Sequence, residues 1–163
     1  IGDLKTEARQ PLVIIHGGPG MSHDYLLYTT HCIQSVWIPI VFYDQIGGGS
    51  STHQLDAPKD FWSPDLFMDE LNNLLKHLGI YDDFDLLGQS WGGMLGAQYA
   101  ALQTPKGLKC LIIVNSPASM DLCEAGMNTL LEKFPTEVVQ MMHKHEADRT
   151  THEQESNGNT RFG

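Results

Sequence analysis

Cysteine is scarce in this chain: Cys32, Cys110 and Cys123 are all that its 163 residues hold. An odd, widely spaced set makes neither a disulfide framework nor a zinc-ligand pattern, and a reducing, cytoplasmic setting is the expectation. Cys110 sits in an apolar run and reads as a small core residue. Positive charge is also short. Ten Lys and Arg against twenty Asp and Glu leave a formal net charge of −10, which argues against nucleic acid or an anionic membrane as a partner. Long apolar runs are missing: nothing approaches the roughly 20 residues that a membrane helix needs, and no signal-peptide pattern opens the chain. An initiating Met is missing too. The sequence starts at Ile1, so the natural N-terminus is expected upstream. No internal repeat is visible.

What remains is ordinary globular material, 41% hydrophobic and 18% charged, long enough to bury one core. Its organising stretch is Asp85-Leu86-Leu87-Gly88-Gln89-Ser90-Trp91-Gly92-Gly93. An apolar strand runs into Gly-x-Ser-x-Gly and straight on into a helix rich in Ala, Leu and Gly. In such a turn the backbone bends so sharply at the Ser that the positions two residues either side must lack side chains. Gly88 and Gly92 meet that demand. Ser90 Oγ would then stand at the carboxyl end of a sheet, above a helix N-terminus whose partial positive charge favours an oxyanion. The bare pattern arises by chance in roughly one chain in twenty of this length, so its weight rests on what surrounds it.

Upstream, Leu12-Val13-Ile14-Ile15 is a continuous apolar run suited to a strand buried on both faces. It ends in His16-Gly17-Gly18-Pro19-Gly20, a loop whose backbone N–H groups are bare enough to approach a ligand. Ser22 and Asp24 read as caps of a helix reaching about Cys32. A second strand is expected from Val36 to Tyr43, interrupted by Pro39 and followed by the glycine loop Asp44 to Ser51. Ser63, Pro64 and Asp65 supply an N-cap, a Pro at the first helical position and an acid in the first turn. Phe67, Leu71, Leu74, Leu75 and Leu78 follow at helical spacing, and Gly79 ends the helix. After the Ser90 turn and its helix, Leu108 to Val114 reads as a fourth buried strand. Strands alternating with helices over short connections mean an α/β fold with a parallel sheet. From Ser119 the pattern changes to two amphipathic helices separated by Pro135, and from His143 onward to a polar, loosely ordered tail. The expected division is a core over 1–118 and a helical segment over 119–163.

Three motifs in register, His16-Gly-Gly-Pro-Gly20, Asp44-Gln45-x-Gly47-x-Gly49-x-Ser51 and Gly88-Gln-Ser-Trp-Gly-Gly93, resemble the proline iminopeptidase family of α/β-hydrolases. The likeness runs from about residue 11 to 118 and continues more weakly beyond Ser119. One departure is Ile46, where Arg is frequent in the family; another is Ser50, also not basic. The resemblance implies the nucleophile half of an α/β-hydrolase sheet with flanking helices, followed by the start of a helical cap. It implies a serine hydrolase that releases N-terminal proline, or another residue, from short peptides or aminoacyl amides, with no cofactor and no metal. An esterase or amino-acid amidase of the same fold, or a truncated non-catalytic form, are the alternatives. By the same resemblance Ser90 is the nucleophile, the amides of Trp91 and Gly18 form the oxyanion hole, and Gly17 and Trp91 line the substrate site. His16 reads as a structural brace of its loop. Oligomeric state is not legible.

A serine nucleophile needs a base, and the base an orienting acid. In α/β-hydrolases these follow the Ser in the order Asp, His, each after a later strand. No strand pattern follows Val114, so both are expected beyond Gly163, and the chain alone is expected to be inactive. Asp148 with His152, or Asp121 with His143 or His145, have the right order but no strand to position them. His143-x-His145 does not share a helix face and makes a poor metal pair. His23, His31, His53 and His77 read as ordinary loop and helix residues. The whole reads as a piece of an aminopeptidase-like enzyme, cut at both ends, with an apolar edge strand left open.

Overall fold

Every residue of Leu12–Ile15 (β1) is buried, and the reason is its place at the inside of the sheet. The computed structural model describes Gly2, Leu4 and residues 9–30 and 38–148. Among these, four strands form one sheet in the order β2-β1-β3-β4, where β2 is Ile40–Phe42, β3 is Phe84–Gln89 and β4 is Leu108–Val114. All three pairings are parallel, with Leu12 opposite both Ile40 and Asp85. Successive side chains of a strand point to opposite faces, so β1 feeds two cores. Val13 and Ile15 join Phe84 and Leu86 under the helices on one face, while Leu12 and Ile14 pack with Leu26 and Ile40 on the other.

Helix α1 (Pro64–Leu78) forms as its sequence signals demand. Ser63 Oγ accepts the Leu66 N–H, Pro64 takes the first position, and Gly79 closes the helix in a left-handed conformation at φ 70°. Its buried face, Phe67, Met68, Leu71 and Leu75, lies in the core with Leu95 and Tyr99 of α2 (Trp91–Gln103). The Tyr99 hydroxyl donates to Asn72 Oδ1 at 2.7 Å, and Asn72 Nδ2 donates to Gln103 Oε1 at 2.8 Å, so the two helices are also tied by polar groups. Burial pushes the Tyr99 phenol up to about 12, so it stays a donor throughout the ordinary pH range.

Three expectations need correction. Strand β2 is only three residues long and begins after Pro39, whose ring nitrogen cannot join a ladder; residues 31–37, with Val36, His31 and Cys32, lie outside the described set. Where a helix capped by Ser22 or Asp24 was expected to start, the chain makes a 3-10 turn, Asp24–Leu26, with no side-chain cap, and Ser22 Oγ instead donates to Asp24 Oδ2. Thr29 and Thr30 are helical, and the rest of the expected helix lies outside the described set. Strand β4 is not buried. It is the edge of the sheet, Ile112 and Ile113 are 42% and 49% exposed, and Cys110 is exposed rather than a core residue. An apolar strand sequence shows which residues favour cover; it does not show whether a neighbour supplies it.

The chain divides into two compact units, Ile1–Pro117 and Ala118–Gly163. Within the second, α3 (Met120–Leu131) is capped by Ser119 Oγ, which accepts the Leu122 N–H, and α4 (Thr136–Asp148) starts after Pro135. Helix α4 carries on past His143, where the sequence suggested loosening, as far as Asp148. Residues 149–163, with His152 and the remaining tail, lie outside the described set. Among the described residues no helix is long and apolar enough to cross a membrane.

Candidate active site

The three glycine motifs meet at the carboxyl ends of β1, β2 and β3. Ser90 occupies the turn between β3 and α2 at φ 54° and ψ −120°, a conformation L residues rarely adopt and which costs on the order of 1–3 kcal/mol. Its backbone is held firmly. The Ser90 N–H donates to the Val114 carbonyl at 2.9 Å, and the Ser90 carbonyl accepts the Ser116 hydroxyl at 2.7 Å. The flanking glycines are required by contact: a Cβ at Gly88 would strike the Gly92 carbonyl, and one at Gly92 would strike the carbonyls of Ile15 and His16. The strand and the helix thus cross too closely for any side chain. Trp91 opens α2, so its amide is one of the helix's orphan N–H groups. Among the described residues Ser90 Oγ has no hydrogen-bond partner.

Side chains then stitch the loops together. His16 is fully buried, and its Nε2 accepts the Gln45 backbone N–H at 3.0 Å. That places the ring proton on Nδ1, which donates to the Gly17 carbonyl at 3.0 Å. His16 is a brace, as its sequence setting indicated. Gln45, also fully buried, donates from Nε2 to the His16 carbonyl and accepts the Trp91 indole N–H on Oε1 at 3.1 Å. One side-chain amide therefore joins all three motifs. The Trp91 ring further rests edge-on against Phe67, 5.7 Å between centroids. Tyr25 makes a second bridge: its oxygen accepts the Gly17 N–H at 2.6 Å and its proton goes to Gln89 Oε1 at 2.6 Å.

Asp44 holds the second loop to the first. Its Oδ1 accepts both the backbone N–H of His23 at 2.9 Å and the His23 ring at 2.7 Å, while Oδ2 accepts the Ser50 N–H at 2.8 Å. Burial alone would raise this carboxyl, but the Ser50 N–H and the two His23 contacts outweigh it and hold it at about 2. His23 is therefore a loop-to-loop tie and not the idle residue its sequence position suggested. Ile46, the departure from the family pattern, packs against the core, and its N–H donates to Glu70 Oε1 at 2.8 Å. Burial raises the Glu70 carboxyl, and the Ile46 N–H offsets only part of that rise.

The sequence pointed to Ser90, Trp91, Gly17 and Gly18, and all four belong to this junction. Gly17 lies against Ser90: a Cβ added there would come to 3.0 Å from the Ser90 Cβ. Gln45, Tyr25 and Gln89 went unread as site-building residues. Gln45 and Gln89 lay inside the quoted motifs, but no local pattern singles out Tyr25. Of the alternative acid and base residues, Asp121 is in the first turn of α3, and His143 lies 3.8 Å from Glu146 on α4. Among the described residues, no group of three or more His, Cys, Asp or Glu is placed to hold a metal ion.

A parallel sheet with a strained Ser between a strand end and a helix start defines an α/β-hydrolase. Residues 10–152 match the family described as the alpha/beta hydrolase fold, and the chain belongs to that family. Within it, the chain is similar to proline iminopeptidases. The enzyme of Clostridioides difficile (strain 630) is 40% identical over 119 residues, 73% of this chain and 39% of that protein. Among solved structures, the proline iminopeptidase of Mycobacterium smegmatis is 45% identical with a TM-score of 0.75, over 88% of this chain and 48% of that one. The crystal structure of VinJ is 49% identical with a TM-score of 0.84, over 92% of this chain and 50% of that one. The chain spans at most about half the length of the curated relatives it matches, 39% to 49%.

Proposed function

We propose that Ser90 is the nucleophile of a serine hydrolase of the proline iminopeptidase type. Its oxygen attacks the carbonyl of the N-terminal residue, the C–N bond breaks, and the amine leaves with the proton that Ser90 gave up. Water then hydrolyses the acyl-enzyme ester, freeing the residue and restoring the Ser90 hydroxyl. The observation that carries this reading is the strained Ser90 backbone, clamped by Val114 and Ser116 at the mouth of α2. The likeness to proline iminopeptidases supports a substrate with an N-terminal proline, and we take it to be a short peptide or aminoacyl amide beginning with proline or a similar residue. Negative charge developing on the substrate oxygen is met by the amides of Gly18 and Trp91, and loss of one such donor typically costs on the order of 3 kcal/mol in the barrier. Trp91 and Gly17 wall the bound residue.

Ser90 needs a base to take its proton. In α/β-hydrolases the acid and base follow the Ser, each after a later strand, so we expect both beyond β4 in the full-length protein, and the 163-residue chain alone to be inactive. The test is a fluorophosphonate probe on the full-length natural protein, with Ser90→Ala alongside, followed by turnover of prolyl and other aminoacyl amides and of a simple ester. Labelling that vanishes in Ser90→Ala, with fastest turnover of prolyl amides, is the expected result. A clear preference for substrates without a free α-amine would move the protein to the esterases. Absence of labelling at Ser90 would overturn the serine-hydrolase reading.

A further inference from the structure

We propose that Tyr25 is a positioning residue for the oxyanion hole: its phenol oxygen anchors the Gly17 N–H against the Ser90 turn and so places the Gly18 amide, one peptide further on. The inference rests on the serine-hydrolase reading above and deepens it. A phenol has one proton and can also accept, and both capacities are in use: Tyr25 accepts the Gly17 N–H at 2.6 Å and donates to Gln89 Oε1 at 2.6 Å. Gly17 and Gly18 belong to the loop after β1, and Gln89 is the last residue of β3, directly before Ser90. One hydroxyl therefore fixes the distance between the loop that offers the Gly18 amide and the strand that presents the nucleophile.

The N–H that Tyr25 holds belongs to the His16–Gly17 peptide, and the next unit, Gly17 C=O with Gly18 N–H, is oriented by a second bond. A peptide unit is planar, so its C=O and N–H point in opposite directions. The Gly17 carbonyl is taken by His16 Nδ1 at 3.0 Å. The Gly18 N–H of the same unit is thereby turned away from His16. His16 sets the direction of that amide, and Tyr25 sets its place. Space confirms how closely the parts converge. A methyl group added to Gly17 would meet Gln89 Oε1 at 2.6 Å, and the Tyr25 oxygen and Ser90 Cβ each at 3.0 Å. Tyr25 also occupies the Gly17 N–H, so that amide cannot compete with Gly18 for the substrate oxygen.

An oxyanion donor acts only when it is in place before charge develops. Removing the phenol oxygen should then weaken transition-state binding and leave ground-state binding nearly alone. The test is Tyr25→Phe in the full-length protein, with the exposed Tyr28→Phe as control. Measured are kcat and KM for an aminoacyl amide, the inhibition constant of an aminoacyl aldehyde whose hemiacetal oxygen occupies the hole, and the melting temperature. We expect kcat to fall about tenfold in Tyr25→Phe, KM to stay within about twofold, and the aldehyde to weaken by the same factor as kcat falls. Gln89→Leu, which removes the acceptor while Tyr25 can still hold Gly17, should show the same split in smaller measure. It carries the test if Tyr25→Phe does not fold. If wild type is labelled at Ser90 but both variants match it in kcat and in aldehyde affinity, the inference is overturned and the hydrolase reading stands. If wild type is not labelled at all, both fall together.

Discussion

Gly17 faces three site side chains at once, which makes it a sharp probe. Gly17→Ala drives a methyl group into Gln89, Ser90 and Tyr25 at once. We expect a loss of about 1–3 kcal/mol in stability from overpacking and at least a tenfold drop in the rate at which Ser90 takes a fluorophosphonate, read by denaturation and by labelling kinetics. Asp44 permits a prediction in pH. Its carboxyl lies at about 2 in the folded chain against an ordinary 3.8. A depressed carboxyl contributes stability that is complete above about pH 4 and is lost as pH falls through 2. Asp44→Asn should therefore lower the melting temperature at pH 6, and should flatten the part of the acid limb between pH 4 and 2 that belongs to this residue. Melting curves of both proteins from pH 2 to 6 check it; parallel acid limbs would remove Asp44 from the account.

At the level of elements, what could be read from the sequence follows how far apart the determinants lie. Helix α1 was legible to the residue because Ser63, Pro64 and Gly79 act on their immediate neighbours. The Ser90 turn was legible for the same reason, its glycines lying two positions away. The open edge at β4 was expected, but the uncapped start at Ser22 and the exposure of Cys110 were not legible. The first depends on whether a cap forms a bond the backbone could satisfy otherwise, and the second on neighbours elsewhere in the chain. The ties that build the site were hidden too. Tyr25 meets Gln89 across 64 positions and Gln45 meets Trp91 across 46, and neither pair leaves a periodic trace. Elements also differ in what they tolerate. Leu71 is fully buried on α1, and Leu71→Ala should cost about 2–5 kcal/mol by chemical denaturation. Gly126 sits inside α3 with nothing within 4 Å of an added Cβ. Gly126→Ala should stabilise that helix by roughly 0.5–1 kcal/mol, seen as added helical circular dichroism or a raised melting point.

For the whole molecule, the exposed edge is the governing liability. Strand β4 is seven residues long, apolar on both faces, and pairs on one side only among the described residues. Such an edge templates pairing with other chains. The 163-residue chain on its own should associate with rising concentration, and Ile113→Lys should suppress this, as light scattering can show. The strand order has a consequence of another kind, in the timing of folding. Strand β1 is made first yet pairs with β3, so a loop of roughly seventy residues from Leu12 to Asp85 must close before that ladder exists. Pairings so distant along the chain form slowly. The Gly17 loop hangs from one of these strands and Ser90 from the other, so no earlier species can bring them together. The reactivity of Ser90 would then serve as a clock for the final step, rising only when the first and third strands have found each other.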